Sequence, residues 1–125
     1  MSIYQEVILD HYRNPRNAKL LSDPTGSIHL TNPFCGDTIT LQIKEEGTII
    51  TDVGYSASGC AISIATASML SELIIGKTKE EVLKLDKDDI MEMLHITLSP
   101  NRLKCALLSL EAVHKVITNK KNMIH

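Results

Sequence analysis

The polar and apolar positions of this chain change period twice. Residues 2–13 place Ile3, Tyr4, Val7, Ile8 and Tyr12 at helical spacing, which predicts an amphipathic helix with His11 beside its apolar face. Asn14-Pro15 stops it, because the residue before a proline is pushed out of the helical region. After the turn-rich "LLSDPTGS" the period falls to two. Strands are expected over 27–32, 38–44 and 48–57, and in the second Ile39, Leu41 and Ile43 alternate with Thr and Gln. The "EEG" at 45–47 reads as a tight turn, so the last two strands should form an antiparallel hairpin. The helical period then returns. Residues 61–75 are apolar nearly all round, as in a buried helix, and their Ala and Ser positions permit close approach to the sheet. Gly76 is placed to cap that helix. Thr78 with Glu81 makes a capping-box pattern for a short helix, and "DKDDIMEMLH" predicts another. Ser99-Pro100 opens a last helix with a core stripe of Leu103, Leu107, Leu110, Val113 and Ile117. A helix, three strands and then helices make one α+β domain over residues 1–125.

Composition narrows the function classes. Aromatic residues are 3% with no Trp, so the core must be aliphatic. The net charge of −2 lacks the basic footprint of a nucleic-acid binder. The longest apolar run, "CAISIATASMLSELIIG", is too short and too polar to span a bilayer. The start "MSIYQEVILDHYRNPRN" has neither a basic leader region nor a small-residue cleavage site, so no signal peptide is read and a cytoplasmic protein is expected. Three cysteines, an odd number without secretory context, favour thiol chemistry or metal ligation over disulfides, with inert core cysteines as the plainer alternative.

Each thiol falls at an element boundary. Cys35 lies in "TNPFCGDTIT", in the corner between the first two strands; Cys60 precedes the buried helix; Cys105 lies in the first turns of the last helix. Helix N-termini favour thiolates, and Arg102 and Lys104 add positive charge near Cys105. Gly36 and Gly59 leave space for an ion or a partner backbone. If the three thiols meet, Asp37 is the natural fourth ligand, since residues two apart in an extended segment point to the same side. Three thiolates and a carboxylate suit tetrahedral zinc, or an iron–sulfur cluster with one weak ligand.

The stretches "DHYRNPRN", "NPFCGD", "SGCAISIATASM" and "RLKCALL" resemble, in order from Tyr4 to about Ile117, the U-type iron–sulfur assembly proteins, the IscU/SufU/NifU N-terminal family. The resemblance implies a three-stranded antiparallel sheet packed against helices, a SufE/IscU-like fold. It implies an iron–sulfur cluster assembly protein that accepts persulfide sulfur from a cysteine desulfurase. Such a protein serves as scaffold or zinc-dependent sulfur carrier and supplies downstream iron–sulfur apo-proteins or carriers. Carried over residue by residue, the ligands are Cys35, Asp37, Cys60 and Cys105, for zinc, iron or a transient 2Fe-2S cluster. Lys104 stands where the IscU branch has a histidine, and with Arg102 it resembles the SufU branch. The span from Gly76 to Cys105 has no room for the insertion of that branch, so IscU-like length joins SufU-like ligands. The L-P-P-V-K chaperone signal of the scaffold branch is replaced by "TLSPNRLKC". A ligand between Phe34 and Gly36 can swing with little strain, which makes Cys35 the expected sulfur acceptor, with Cys105 as its rival.

Two other classes remain: a zinc-stabilised interaction module without sulfur transfer, and a thiol enzyme, which needs a Cys–His pair. His11 and His29 are expected to pack rather than ligate, and His95, His114 and His125 to face solvent. Met69, Met91 and Met93 read as core filler, "KEEVLKLDKDDIMEM" as a solvated charged face, and "NKKNMIH" as a frayed tail.

Overall fold

The computed structural model describes residues 2–33 and 36–118, so Cys35 and the 119–125 tail lie outside the described residues. Helix α1 covers Ile3–Arg13 and starts at a Ser2/Gln5 capping box. Strands β1 (Gly26–Asn32), β2 (Asp37–Glu46) and β3 (Ile49–Ser58) form one antiparallel sheet in chain order. Helices α2 (Ala61–Ile74), α3 (Lys79–Leu83), α4 (Lys87–Leu94) and α5 (Pro100–Thr118) follow, completing an α+β fold.

β2 alternates strictly, burying Asp37, Ile39, Leu41 and Ile43. Its apolar face meets α5, while α2 packs against β3 and α5. The small residues Ala65, Thr66, Ala67, Ser68 and Ser71 of α2 are all buried, as expected of a helix held closely on several sides. The hairpin turns later than "EEG" suggests. A register shift at Lys44/Glu45 leaves Thr51 as an extra residue in β3, while Glu45 and Glu46 stay paired with Ile50 and Ile49, so Gly47-Thr48 makes the turn. Glu45 is then drawn into a largely buried ion pair with Lys79, at 3.2 Å. Beside it, Ile49 bridges Thr78 in a short extra pairing that ties α3 to the sheet.

Helix α1 departs from its sequence pattern. Ile3, Tyr4, Val7 and Tyr12 are exposed, and the buried face is Ile8 with His11. The reason is what α2 offers to α1. His11 Nδ1 lies 2.7 Å from Ser68 Oγ, which also accepts from Arg16 N–H at 2.9 Å. A polar junction therefore selects the helix face, not the richest apolar stripe. Tyr4 is partly used by stacking on His95, ring centroids 4.3 Å apart. The α5 stripe is wider than expected. Leu110, Val113 and Ile117 are buried with Cys105, Ala106, Leu108, Ala112 and Val116, whereas Leu103 and Leu107 are half-buried. No helix among the described residues is long and apolar enough to cross a membrane.

Candidate metal centre

The sheet register brings the chemistry together at one end of the fold. Asn32 pairs with Asp37 across the β1–β2 corner, and Gly36, at φ +73°, donates its N–H to Asn32 O at 2.8 Å to close it. On the other side Thr38 pairs with Ser58, so the first residue of β2 lies beside Gly59 and Cys60, where β3 passes into α2. Cys60 is the N-cap of α2. Ser99 caps α5 by accepting from Arg102 N–H at 3.3 Å, and the second turn of that helix carries Cys105 over the same end.

One ligand atom each from Asp37, Cys60 and Cys105 lies within 4.8 Å of the others. Cys60 and Cys105 are free thiols. Asp37 is 2% exposed; its Oδ1 accepts from Cys60 N–H at 3.3 Å, and its buried Oδ2 has no hydrogen-bond partner among the described residues. A buried carboxylate oxygen without a donor is unfavourable unless something positive comes to it. Gly59 permits this packing. A Cβ there would collide with Asp37 Oδ1 and come to 2.7 Å from Ser63 Oγ. A tetrahedral zinc holds thiolates at about 2.3 Å and carboxylate oxygens at about 2.1 Å, which places neighbouring donors a little under about 4 Å apart. The donor atoms, all within 4.8 Å of one another, stand near that spacing, so the donor set fits such an ion. The cleft in front of these groups, about 280 Å³, is completed by Gly59, Asn101 and Arg102.

Burial pushes the Cys60 thiol up, but hydrogen bonds from Ser63 N–H, the Cys105 thiol, the Ser63 hydroxyl and Ile62 N–H outweigh it, so its pKa falls below the usual range. This is the helix-start stabilisation anticipated from the sequence. Arg102 is at the mouth as expected, but Lys104 lines a neighbouring cleft with Thr31, Asn32, Pro33 and Glu111. The described histidines lie elsewhere. His11 bonds Ser68, His29 Nδ1 is 2.8 Å from Thr40 Oγ1, and His95 stacks on Tyr4. His114, expected in solvent, is half-buried with Nε2 3.1 Å from Val82 O, because α3 packs on α5 there. Sequence reasoning missed Ser63 and Asn101, since helical serines and asparagines carry no signal of their own at a site.

The sequence profile of the NifU-like N-terminal domain matches residues 3–124. The chain belongs to that family. The zinc-dependent sulfurtransferase SufU of Bacillus subtilis is 35% identical over 137 aligned positions, covering 96% of this chain and 92% of that protein. Since the alignment is longer than the chain, SufU carries residues that this chain lacks. The iron–sulfur cluster assembly scaffold protein IscU of Aquifex aeolicus is 40% identical, covering 91% of this chain and 73% of that protein. Among solved structures, one described as a SUF-system iron–sulfur cluster assembly scaffold from Fervidobacterium islandicum superposes with a TM-score of 0.78 at 28% identity. It spans 90% of this chain and 94% of that one.

Proposed function

We propose that this chain is an iron–sulfur cluster assembly protein. It takes persulfide sulfur from a cysteine desulfurase and passes it toward iron–sulfur apo-proteins or carriers, using zinc held by Cys35, Asp37, Cys60 and Cys105. One observation carries the reading: Asp37, whose buried Oδ2 has no hydrogen-bond partner among the described residues, offers a carboxylate oxygen within 4.8 Å of the Cys60 and Cys105 sulfurs. The likeness to SufU and IscU, named for sulfur transfer and for scaffolding, supports it. Zinc, when bound, keeps these thiols deprotonated at neutral pH. The chain's own groups do the rest. Cys60 N–H fixes the Asp37 carboxylate, and the start of α2 stabilises the Cys60 thiolate. Arg102 at the cleft mouth offers positive charge to an incoming anionic persulfide.

Cys35 is the proposed acceptor. Its thiolate attacks the outer sulfur of the desulfurase persulfide; a new S–S bond forms on Cys35, the donor S–S bond breaks, and the desulfurase cysteine leaves as thiolate. Iron, or a transient 2Fe-2S cluster, is cargo for the same ligands. Mass spectrometry after brief reaction with desulfurase and cysteine tests this, with added sulfur expected on Cys35. Labelling that persists in a Cys35→Ser protein still holding zinc moves the acceptor role to Cys105. A zinc-stabilised interaction module predicts no added sulfur and no stimulated desulfurase turnover. A thiol enzyme is disfavoured because no described histidine reaches Cys60 or Cys105.

A further inference from the structure

As well as the outer cleft, Cys105 lines a second, much smaller space. It is a chamber of about 10 Å³ lined by Thr38, Ile39, Ala57, Ser63, Cys105, Leu108 and Ser109. Cys105 thus forms part of the wall between the outer cleft and this chamber. Ser109, one turn further along α5, is 3% exposed, and its hydroxyl has no hydrogen-bond partner among the described residues. Helical serines and threonines commonly bond the carbonyl a turn earlier, as Thr66 does to Ile62 O at 2.6 Å. Ser109 instead leaves its hydroxyl to the chamber. A buried hydroxyl is stable there only with a partner, and the chamber has the volume of about one water molecule.

We propose that Ser109 is a positioning residue: with one buried water in this chamber it hydrogen-bonds the inner side of the Cys105 sulfur and keeps that thiolate a fixed, weakly nucleophilic ligand. The polar partners for the water are the hydroxyls of Ser109, Thr38 and Ser63, with the Cys105 sulfur as acceptor. Ser63 Oγ is already oriented by Cys60 O at 3.0 Å, so the same shell touches two of the thiol ligands. A hydrogen bond to a thiolate lowers its electron density and its reactivity toward electrophiles, and outer-shell donors of this kind tune metal ligands. The inference rests on the reading that Cys105 is a zinc ligand.

The test uses the zinc-loaded full chain as wild type, Ser109→Ala and Ser109→Thr, alkylated with iodoacetamide and mapped by mass spectrometry. Ser109→Ala should raise the Cys105 labelling rate on the order of tenfold, leave Cys60 unchanged, and be rescued by Ser109→Thr. Melting of the metal-free proteins gives a second readout. Ser109→Ala should melt lower than wild type if its hydroxyl is bonded, and higher if the hydroxyl is stranded in the core. A high-resolution crystal structure of the wild type should place one water within hydrogen-bond distance of Ser109 Oγ and the Cys105 sulfur. Unchanged Cys105 labelling, a higher melting temperature, or a dry chamber overturns the proposal while leaving the metal site intact. Unchanged zinc affinity in Cys105→Ser instead removes the ligand role of Cys105, and this inference with it.

Discussion

Asp37 and Cys60 share one hydrogen bond, from the Cys60 N–H to Asp37 Oδ1, and it joins the first residue of β2 to the cap of α2. The other oxygen of the carboxylate is buried and unpartnered. Oδ1 thus helps hold the end of the fold together, and the carboxylate lies in one donor group with the Cys60 and Cys105 thiols.

Asp37→Ala should therefore weaken zinc binding by at least about tenfold, measured by competition with a chromophoric chelator. The metal-free variant should stay folded, because the substitution also removes a buried oxygen that has no donor. Wild-type zinc affinity would reduce Asp37 to a strand-end residue.

Gly59→Ala should act through the same carboxylate. The new methyl group meets Asp37 Oδ1 and lies 2.7 Å from Ser63 Oγ, and φ at this position is +154°. We expect a loss of about 1–3 kcal/mol of stability and a zinc affinity reduced like that of Asp37→Ala. Gly76→Ala, where φ is +90° but nothing crowds the added carbon, is the control for backbone strain alone. Equal zinc affinity in the two variants would show that the Asp37 contact is unimportant.

His11 should make stability depend on pH. Burial lowers its pKa below the ordinary 6.5, the Arg16 cation lowers it further, and Glu72 and Asp10 oppose this only in part. The unfolded chain therefore binds the proton more readily between the folded value and about 6.5. Stability should be flat above about pH 7 and fall as pH drops below 6.5. Urea midpoints across this range check it, and His11→Asn should flatten that part of the slope.

Ser68→Ala removes the hydroxyl that accepts from the Arg16 N–H and bonds His11 Nδ1. We expect destabilisation by about 1–3 kcal/mol, the penalty of leaving buried polar groups unpaired. Denaturant unfolding measures this. A change within a few tenths of a kcal/mol would mean that the Ser68 junction contributes little to holding α1.

Local signals carried much of this fold. The alternation through Ile39, Leu41 and Ile43, the Thr78/Glu81 box and the Ser99-Pro100 start all lie where the chain pattern puts them, since each depends on neighbours a few residues away. The motifs around Asp37, Cys60 and Cys105 indicated a shared centre, and those three residues do converge. Long-range relations were not legible. The pairing of Thr38 with Ser58, which sets Asp37 beside Cys60, comes from sheet register. The buried face of α1 depends on serines far along the chain in α2, so its own apolar stripe misleads. The hairpin turn moved because the shift at Lys44/Glu45 has no composition signature.

The order of the sheet bears on when this protein becomes competent during synthesis. Because β1, β2 and β3 pair in chain order, the sheet and the Asp37–Cys60 link can assemble before the last helix leaves the ribosome. Cys105 arrives on α5, the final element, and only its docking completes the donor set. On the proposed ligand set, a nascent chain still tethered short of α5 would hold metal poorly, and loading would belong to the released protein.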